Sequence, residues 1–389
     1  MGAWQIGYCT NVHAGQTLEE IQHNLQECAV PVRHRLQQDQ LGIGLWLPAT
    51  AAVQMIAEKK APEWREWLAE QGLQPYTING FPYGNFHKKH VKKEVYRPTW
   101  WDAERLEYTM QLVTILDQLL PPGVSGSIST LPIAWNDPLP SDVEMAAAAN
   151  ALHTIAQQLS ALEQQTGRWI NVALEPEPGA YLDTCSDVLE FFERFVPAQW
   201  RRYLTVCHDV CHTAVMYESQ AETLRQYGEH GIVVGKLQAS SAIEVRWSSL
   251  GDQREVAIDQ LSVFAEDRYL HQTCRRDQAM QITFVEDLPQ ALDAPGAPGQ
   301  DESWRIHFHV PLHLACFGQL FSTQPQIGEA LAALQGASAP LFTGHIEAET
   351  YAWGVLPEQM QPSSLDAGLA DELQWLQALV ASQLESPES

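Results

Sequence analysis

The sequence predicts an α/β protein: a closed (β/α)8 barrel of the TIM type, with a mostly helical insertion before its last units. Three observations predict it. Short apolar runs recur along the chain, and each is followed by Pro, Gly or a polar cluster and then by a helix-like segment. Strands alternating with helices of about 10–15 residues indicate parallel βα units, and eight or so of them close into a barrel more readily than they make an open sheet. A chain of 389 residues has room for one large barrel or for two ordinary domains.

The strand candidates are residues 6–9, 41–47, 75–78, 127–131, 169–174, 203–206, 232–237, 304–310 and 345–351. These are one more than a barrel needs, the surplus being the first run, the second, or 304–310. Thr17 heads TLEEIQHNL, with Glu20 completing a capping box and Leu18, Ile21 and Leu25 forming an apolar stripe. Helix 100–120 is stopped by Pro121-Pro122-Gly123, and the Ala-rich helix 142–162 ends near Thr166-Gly167. Helices 186–194 and 213–227 fill two later crossovers. Residues 248–283, mostly helical with mixed charge, and the Ala-, Pro- and Gly-rich stretch 290–303 break the rhythm. The chain therefore reads as one barrel domain over 1–380, with 248–303 as a cap or interface and 381–389 as a frayed tail.

Composition excludes several function classes. Forty-eight acidic against 23 basic side chains leave a formal charge of −25, so there is little with which to release phosphate counterions, and nucleic acid and anionic membrane are poor partners. No stretch approaches the roughly 18 apolar residues of a membrane span, and MGAWQIGYCTNVHAG lacks the basic and apolar regions of a signal peptide. The seven scattered cysteines are odd in number and suit a reducing compartment, so the expected location is the cytoplasm.

In β/α barrels the chemistry sits at the C-terminal ends of the strands. In NVALEPEPG, period two puts Ala173 and Glu175 on one face, with Glu177 as the competitor one step on. A carboxylate leaving an apolar strand must be paired, hydrogen-bonded or metal-bound. In TVCHDVCH, Asp209 closes the strand and His212 follows within one helical turn, so oxygen and imidazole converge on one cation, or Asp209 ligates while His212 meets substrate. Cys207, His208 and Cys211 raise a sulfur-rich zinc alternative, but no second Cys pair completes it.

Lys236 is the only lysine after Lys93 and shares a strand face with Gln238. It neutralises a carboxylate cluster, positions an anionic oxygen, or forms a Schiff base. In RIHFHVPLH, His307 and His309 alternate with Ile306, Phe308 and Val310; in TGHIEAETYAW, His345, Glu347 and Glu349 alternate with Ile346 and Ala348. Each strand thus presents one polar face. Earlier ends supply Asn11 and His13, then Asn79 and His87 in a long aromatic loop, where they line a pocket wall. Lys88, Lys89, Lys92 and Lys93 form the only basic cluster, a docking point for an anionic ligand or acidic partner. No phosphate-binding glycine fingerprint follows a strand.

On NVALEPEPG, the Asp-x-x-His and HIEAETYAWGVLP, the chain resembles the xylose isomerase-like TIM-barrel superfamily. More narrowly it resembles the EboE family of metabolite-traffic proteins, encoded in bacterial ebo gene clusters. That resemblance covers nearly the whole chain, through YCTNVHAG, TINGFPYGNFH, VKKEVYRPTW, LEPEPG, CHDVCH, KLQASSA, HFHVPLH and HIEAETYAW. The superfamily pattern implies a divalent metal (Mn, Zn, Fe or Co) held by Glu175, Asp209, a later His and Glu349. The seventh-strand His is replaced by Lys236 or Gln238, so His309 is expected to supply the nitrogen. Where it does not, the Lys236 ammonium takes the cation's electrostatic place.

The expected function is a metal-dependent isomerase or epimerase for a ketose-type or sugar-phosphate metabolite in a secondary-metabolite traffic or biosynthesis pathway. Glu175 or Glu349 moves the proton, and Lys236 or His212 steadies the enediolate. His13, Asn79, His87, Gln238, His307 and Glu347 are the substrate-binding candidates. Two rivals stand beside it: a non-catalytic metabolite-binding or carrier protein, and a Schiff-base lyase centred on Lys236. The expected partners are a small-molecule metabolite, other ebo-cluster proteins and a second copy of the chain.

Overall fold

The computed structural model describes residues 4–294, 301–336 and 341–385. Seven strands come first: β1 (Gln5–Cys9), β2 (Leu41–Trp46), β3 (Leu73–Asn79), β4 (Gly126–Thr130), β5 (Ile170–Leu174), β6 (Leu204–Asp209) and β7 (Val234–Ala239). Then follow β8 (Ile243–Arg246), β9 (Thr273–Asp277), β10 (Ile282–Val285), β11 (Asp301–Ile306), β12 (Cys316–Phe317) and β13 (Leu320–Ser322), and last β14 (His345–Ala348). The first seven and β14 close a parallel barrel in the order β1-β14-β7-β6-β5-β4-β3-β2. The fold is the α/β TIM barrel that the alternating pattern predicts.

Local signals explain the helices. Thr17 with Glu20, Ser141 with Glu144 and Thr184 with Asp187 each form a reciprocal cap, satisfying N–H groups that the first turn leaves unpaired. Gly167, at φ +74°, ends the long helix Asp142–Thr166 in the left-handed conformation a C-cap requires. The expected helix over 213–227 is two helices, Val210–Val215 and Gln220–Glu229. Ser219 accepts a bond from Glu222 N and starts the second, while Tyr217 breaks the path at φ +59°. The C-terminal helix runs from Leu365 to Glu385, so most of the tail expected to fray is helical; residues 386–389 lie outside the described residues.

The surplus strand is the run at 304–310. Its strand part, β11, ends at Ile306 and lies in a six-stranded antiparallel sheet, ordered β10-β9-β11-β8-β13-β12, outside the barrel. His307 and His309 therefore follow a strand rather than sharing its polar face. The insertion holds helices Arg254–Ser262 and Leu288–Asp293 together with this sheet, and it begins at β8, earlier than residue 248. Part of the Ala-, Pro- and Gly-rich stretch, 295–300, lies outside the described residues.

The insertion and the long loop after β3 are tied together above the barrel. Val91 N and Lys92 N donate to Arg268 O, at 2.8 and 3.1 Å, and Lys92 and Lys93 pair with Asp287 and Glu286. Lys88 pairs with Glu94. Three of the four lysines expected to dock an anionic partner are thus engaged within the chain itself.

Inside the barrel the outward residues of β7, such as Leu237, join the apolar core, while Lys236 and Gln238 point inward. Lys236 and Glu347 are both fully buried and form an ion pair, and Lys236 Nζ also donates to Ser129 Oγ at 3.2 Å. Gly44 makes this possible: a Cβ there would occupy the space of the Glu347 carboxylate. Lower still, His345 Nδ1 meets Ser127 Oγ at 2.9 Å and Thr205 Oγ1 donates to Asn171 Oδ1 at 2.7 Å.

Candidate metal centre

Above these polar layers, the ends of β5, β6 and β14 deliver three carboxylates to one place. Glu175 follows β5, its N–H held by Thr130 O at 2.9 Å. Asp209 ends β6, and Glu349 follows β14 with its N–H on Ala239 O at 3.0 Å. One oxygen from each lies within 4.8 Å of the others, and all three side chains are buried. Asp209, His212 and His309 form a second such group, and Glu177, His212 and His307 a third.

Each donor is oriented by a neighbour. Asp209 Oδ1 accepts from His212 N at 2.9 Å and from Ser240 Oγ at 2.7 Å, while Oδ2 has no hydrogen-bond partner. Glu349 Oε1 accepts from Asn11 Nδ2 at 2.8 Å and Asn79 Nδ2 at 3.1 Å. His309 Nδ1 donates to Glu349 O at 2.7 Å, which leaves Nε2 as a bare lone pair 4.0 Å from Asp209 Oδ2. Glu175 Oε2, Asp209 Oδ2 and His309 Nε2 are all buried without a partner. Orphaned acceptors of this kind are costly unless a cation or proton joins them.

Electrostatics sharpens the point. Burial, with the charges of Glu349 and Asp209, pushes Glu175 well above the usual carboxylate range. Burial, with Asp209 and Glu347, pushes Glu349 up to about 8. At Asp209 burial acts upward too, but His212, His309 and Ser240 outweigh it and hold the group below its ordinary value. Burial keeps His309 at about 4 and His307 well below the ordinary imidazole range. Asp209 is thus the anionic anchor of a site whose other oxygens wait for a positive charge. Three oxygens and one neutral imidazole nitrogen form a donor set that fits Mn, Fe, Co or Zn.

A further pair of nitrogens stands beside this set. His212 Nδ1 donates to Pro176 O at 2.8 Å and His307 Nδ1 to Gln272 Oε1 at 2.8 Å. Their Nε2 atoms then face each other at 3.2 Å, so a shared proton or cation belongs between them. Glu177, held by Gln272 Nε2 at 3.1 Å, flanks the pair, and burial raises its carboxyl.

Of the sequence candidates, Glu175, His212, His307, His309, Glu349 and Asn79 line one cavity, and Asp209 adjoins it through the ligand groups it shares with Glu175 and Glu349 and with His212 and His309. The others do not line it. Lys236, Glu347 and Gln238 lie deeper in the barrel. Burial lowers the affinity of Lys236 for its proton, yet Glu347 and nearby cysteines more than restore it, so the ammonium is held in its charged form and is a poor Schiff-base nucleophile. His13 bonds Tyr8 OH at 3.0 Å behind the first strand, and His87 Nε2 donates to Asn11 O at 2.7 Å, supporting the residue that holds Glu349. Cys207 is buried beneath the site, and Cys211 joins His307 and His309 in a possible ligand group, without a second thiol.

Sequence reasoning passed over Tyr351 and Gln272 as site residues, and it placed Asn11 in a pocket wall without seeing that it holds Glu349. Asn11 carries the same strand-end signal as Asn79. Gln272 sits in the insertion, and no local pattern marks it.

No protein-family model and no curated protein matches the chain. Among solved structures it is similar to a xylose isomerase-like TIM barrel protein from Mycobacterium smegmatis in complex with magnesium, at 12% identity over 99% of this chain and 100% of that one, with a TM-score of 0.54. It is also similar to the 3-keto-D-glucoside 4-epimerase YcjR from E. coli in its apo form, at 12% identity over 96% and 99% and a TM-score of 0.47. A third is the IOLI protein with a bound zinc atom, at 10% identity over 98% and 100% and a TM-score of 0.49. The first of these likenesses shows the fold, a TIM barrel.

Proposed function

We propose that this barrel is a divalent-metal-dependent isomerase or epimerase that moves a proton at the carbon between a carbonyl and a neighbouring hydroxyl. We place it in a cytoplasmic secondary-metabolite traffic or biosynthesis pathway of the EboE type, which the resemblance of its motifs supports. The observation that carries the chemistry is the carboxylate group Glu175, Asp209 and Glu349, joined through Asp209 to His309, in which Glu175 Oε2, Asp209 Oδ2 and His309 Nε2 are buried without hydrogen-bond partners.

Glu175, Asp209, His309 and Glu349 would hold the metal, with Asn11 and Asn79 fixing Glu349 and Ser240 fixing Asp209. A metal bound there supplies Lewis acidity to the carbonyl and adjacent hydroxyl oxygens. Glu175 takes the proton from the carbon, and Glu349 returns one, at the adjacent carbon for an isomerase or on the opposite face for an epimerase. His212 and His307 hold the hydroxyl proton that shifts between the two oxygens. Tyr351, packed 4.7 Å from His309 ring to ring, keeps water from that side.

The test is elemental analysis of protein purified without chelator or a metal-binding tag, beside a folded Asp209→Asn variant. The parent is expected to carry close to one Mn, Fe, Co or Zn per chain and the variant little. Deuterium exchange at the carbon of hydroxy-ketone candidates, followed by NMR, then reads the proton transfer. A metal-loaded protein that binds such compounds without exchange would be a carrier, and a protein that takes up no metal after reconstitution would overturn the reading.

A further inference from the structure

The cavity is built of two unlike halves. Its floor is the carboxylate and imidazole cluster, whereas its upper wall is apolar: Phe81, Phe86, Val91, Val95, Tyr269 and Tyr351. Phe86, Tyr269 and Tyr351 pack as a three-ring cluster, with centroids 5.0–5.5 Å apart, and Tyr351 bridges from it to His309. A free sugar stacks only its C–H faces on such rings, and the hydroxyls around its rim would be left unpaired against the rest of the wall.

Nor does the cavity offer a phosphate subsite. Among the described residues, Lys92 is the one lysine or arginine lining it, and its Nζ lies 2.5 Å from Asp287 Oδ2. Asp287 is itself fixed, its Oδ1 accepting from His271 N and Leu288 N at 3.1 Å each, so the lysine is neutralised in place.

We infer that the substrate is an unphosphorylated hydroxy-carbonyl compound carrying an apolar, ring-bearing arm, with the chelating end on the floor and the arm against Phe86, Tyr269 and Tyr351. The inference rests on the metal reading above and narrows its substrate class. The same cavity offers both parts a surface, Glu175, His212, His309 and Glu349 to the chelating head and the ring cluster to the arm.

Three hydroxamates test it, because the hydroxamate group chelates a metal as an enediolate does: acetohydroxamate, 3-phenylpropionohydroxamate and phosphonoacetohydroxamate. Each is titrated into cobalt-loaded protein and read by the visible cobalt spectrum, with cobalt content measured separately by elemental analysis. The phenyl probe is expected to bind about 10- to 100-fold tighter than acetohydroxamate, the range for burying one aromatic ring. That preference falls in Phe86→Leu and in Tyr269→Ala, either of which serves if the other does not fold. Asp287→Asn frees Lys92 and is expected to improve the phosphono probe selectively. Equal binding of the phenyl and acetyl probes, or tightest binding of the phosphono probe to the parent, overturns the substrate class while leaving the metal reading intact. Failure to take up cobalt overturns both.

Discussion

Replacing Lys236 by Met removes the positive charge that pairs with Glu347 in the barrel interior. Both side chains are fully buried, and the Glu347 carboxylate lies against the bare backbone of Gly44, so no solvent reaches it. Breaking a buried pair from one side costs about 3–5 kcal/mol, because an uncompensated charge is left behind. For 389 residues with an unfolding entropy of about 2.1 cal/mol/K each, that lowers the melting temperature by about 4–6 °C. Replacing both partners, in Lys236→Met/Glu347→Leu, removes the stranded charge and is expected to recover most of the loss. Calorimetric melts of the parent, both single variants and the double variant measure this, and cobalt content is read on the same samples. Metal uptake is expected to persist in Lys236→Met. A single variant that melts with the parent, or a double variant as unstable as the two singles combined, would refute the structural role; loss of metal uptake in a folded Lys236→Met would refute its separation from the metal floor.

His309→Gln is expected to weaken cobalt binding at least 10-fold while leaving the fold intact, since it removes the one neutral nitrogen from the oxygen set; a spectroscopic titration checks it. Glu349 has a folded value near 8, above its unfolded value, so its contribution favours the fold at low pH and is lost as pH rises to about 8. The histidines held low, such as His309 at about 4 and His345 at about 3, act in the opposite sense, but their contribution is complete above about pH 6.5. Metal-free protein should therefore lose up to about 1.4 kcal/mol per pH unit between about pH 7 and 8 through this group, a slope that Glu349→Gln or added metal flattens in denaturant titrations. Glu372, buried in the C-terminal helix, accepts from Leu312 N at 3.0 Å and Trp353 Nε1 at 3.2 Å and holds Thr350 beside Glu349. Glu372→Ala should cost about 3 kcal/mol and about 10-fold in cobalt affinity; an unchanged affinity in the folded variant would separate that helix from the site.

The barrel and its strand-end carboxylates were legible because both follow from short-range rules. A βα rhythm needs only the alternation of apolar runs with capped helices, and period two is enough to put Glu175, Asp209 and Glu349 at the rim. The same rule failed for His307 and His309. Alternation suggested a strand face, yet β11 pairs antiparallel with β8 and β9 and ends before either histidine. They reach the floor because His307 N bonds Gln272 O at 2.8 Å and Val310 N bonds Ser241 O at 3.0 Å, anchoring the segment between the insertion and the end of β7. Such anchors join residues far apart in sequence, and periodicity carries no information about them. The ion pairs of the basic cluster were hidden for a related reason: Asp287 and Glu286, which pair with Lys92 and Lys93, are nearly 200 residues away.

The charge arrangement also separates the two roles that a lone lysine near a carboxylate cluster could take. If Lys236 stood in for a cation, its ammonium would have to face Glu175, Asp209 and Glu349, and their free oxygens would be its partners. Instead its Nζ is taken by Glu347 and Ser129, while Glu175 Oε2 and Asp209 Oδ2 keep no hydrogen-bond partner. His345 and Glu347, one face of β14 with Glu349, are engaged at lower levels by Ser127 and Lys236, so the polar stripe is spent in layers. Only its last member reaches the floor. The lower layer is electrically closed, one ammonium to one carboxylate, and cannot lend charge upward except at a distance. What remains above is a buried group of three carboxyls, joined through Asp209 to a neutral imidazole, and a divalent cation is the compensation such donors accept.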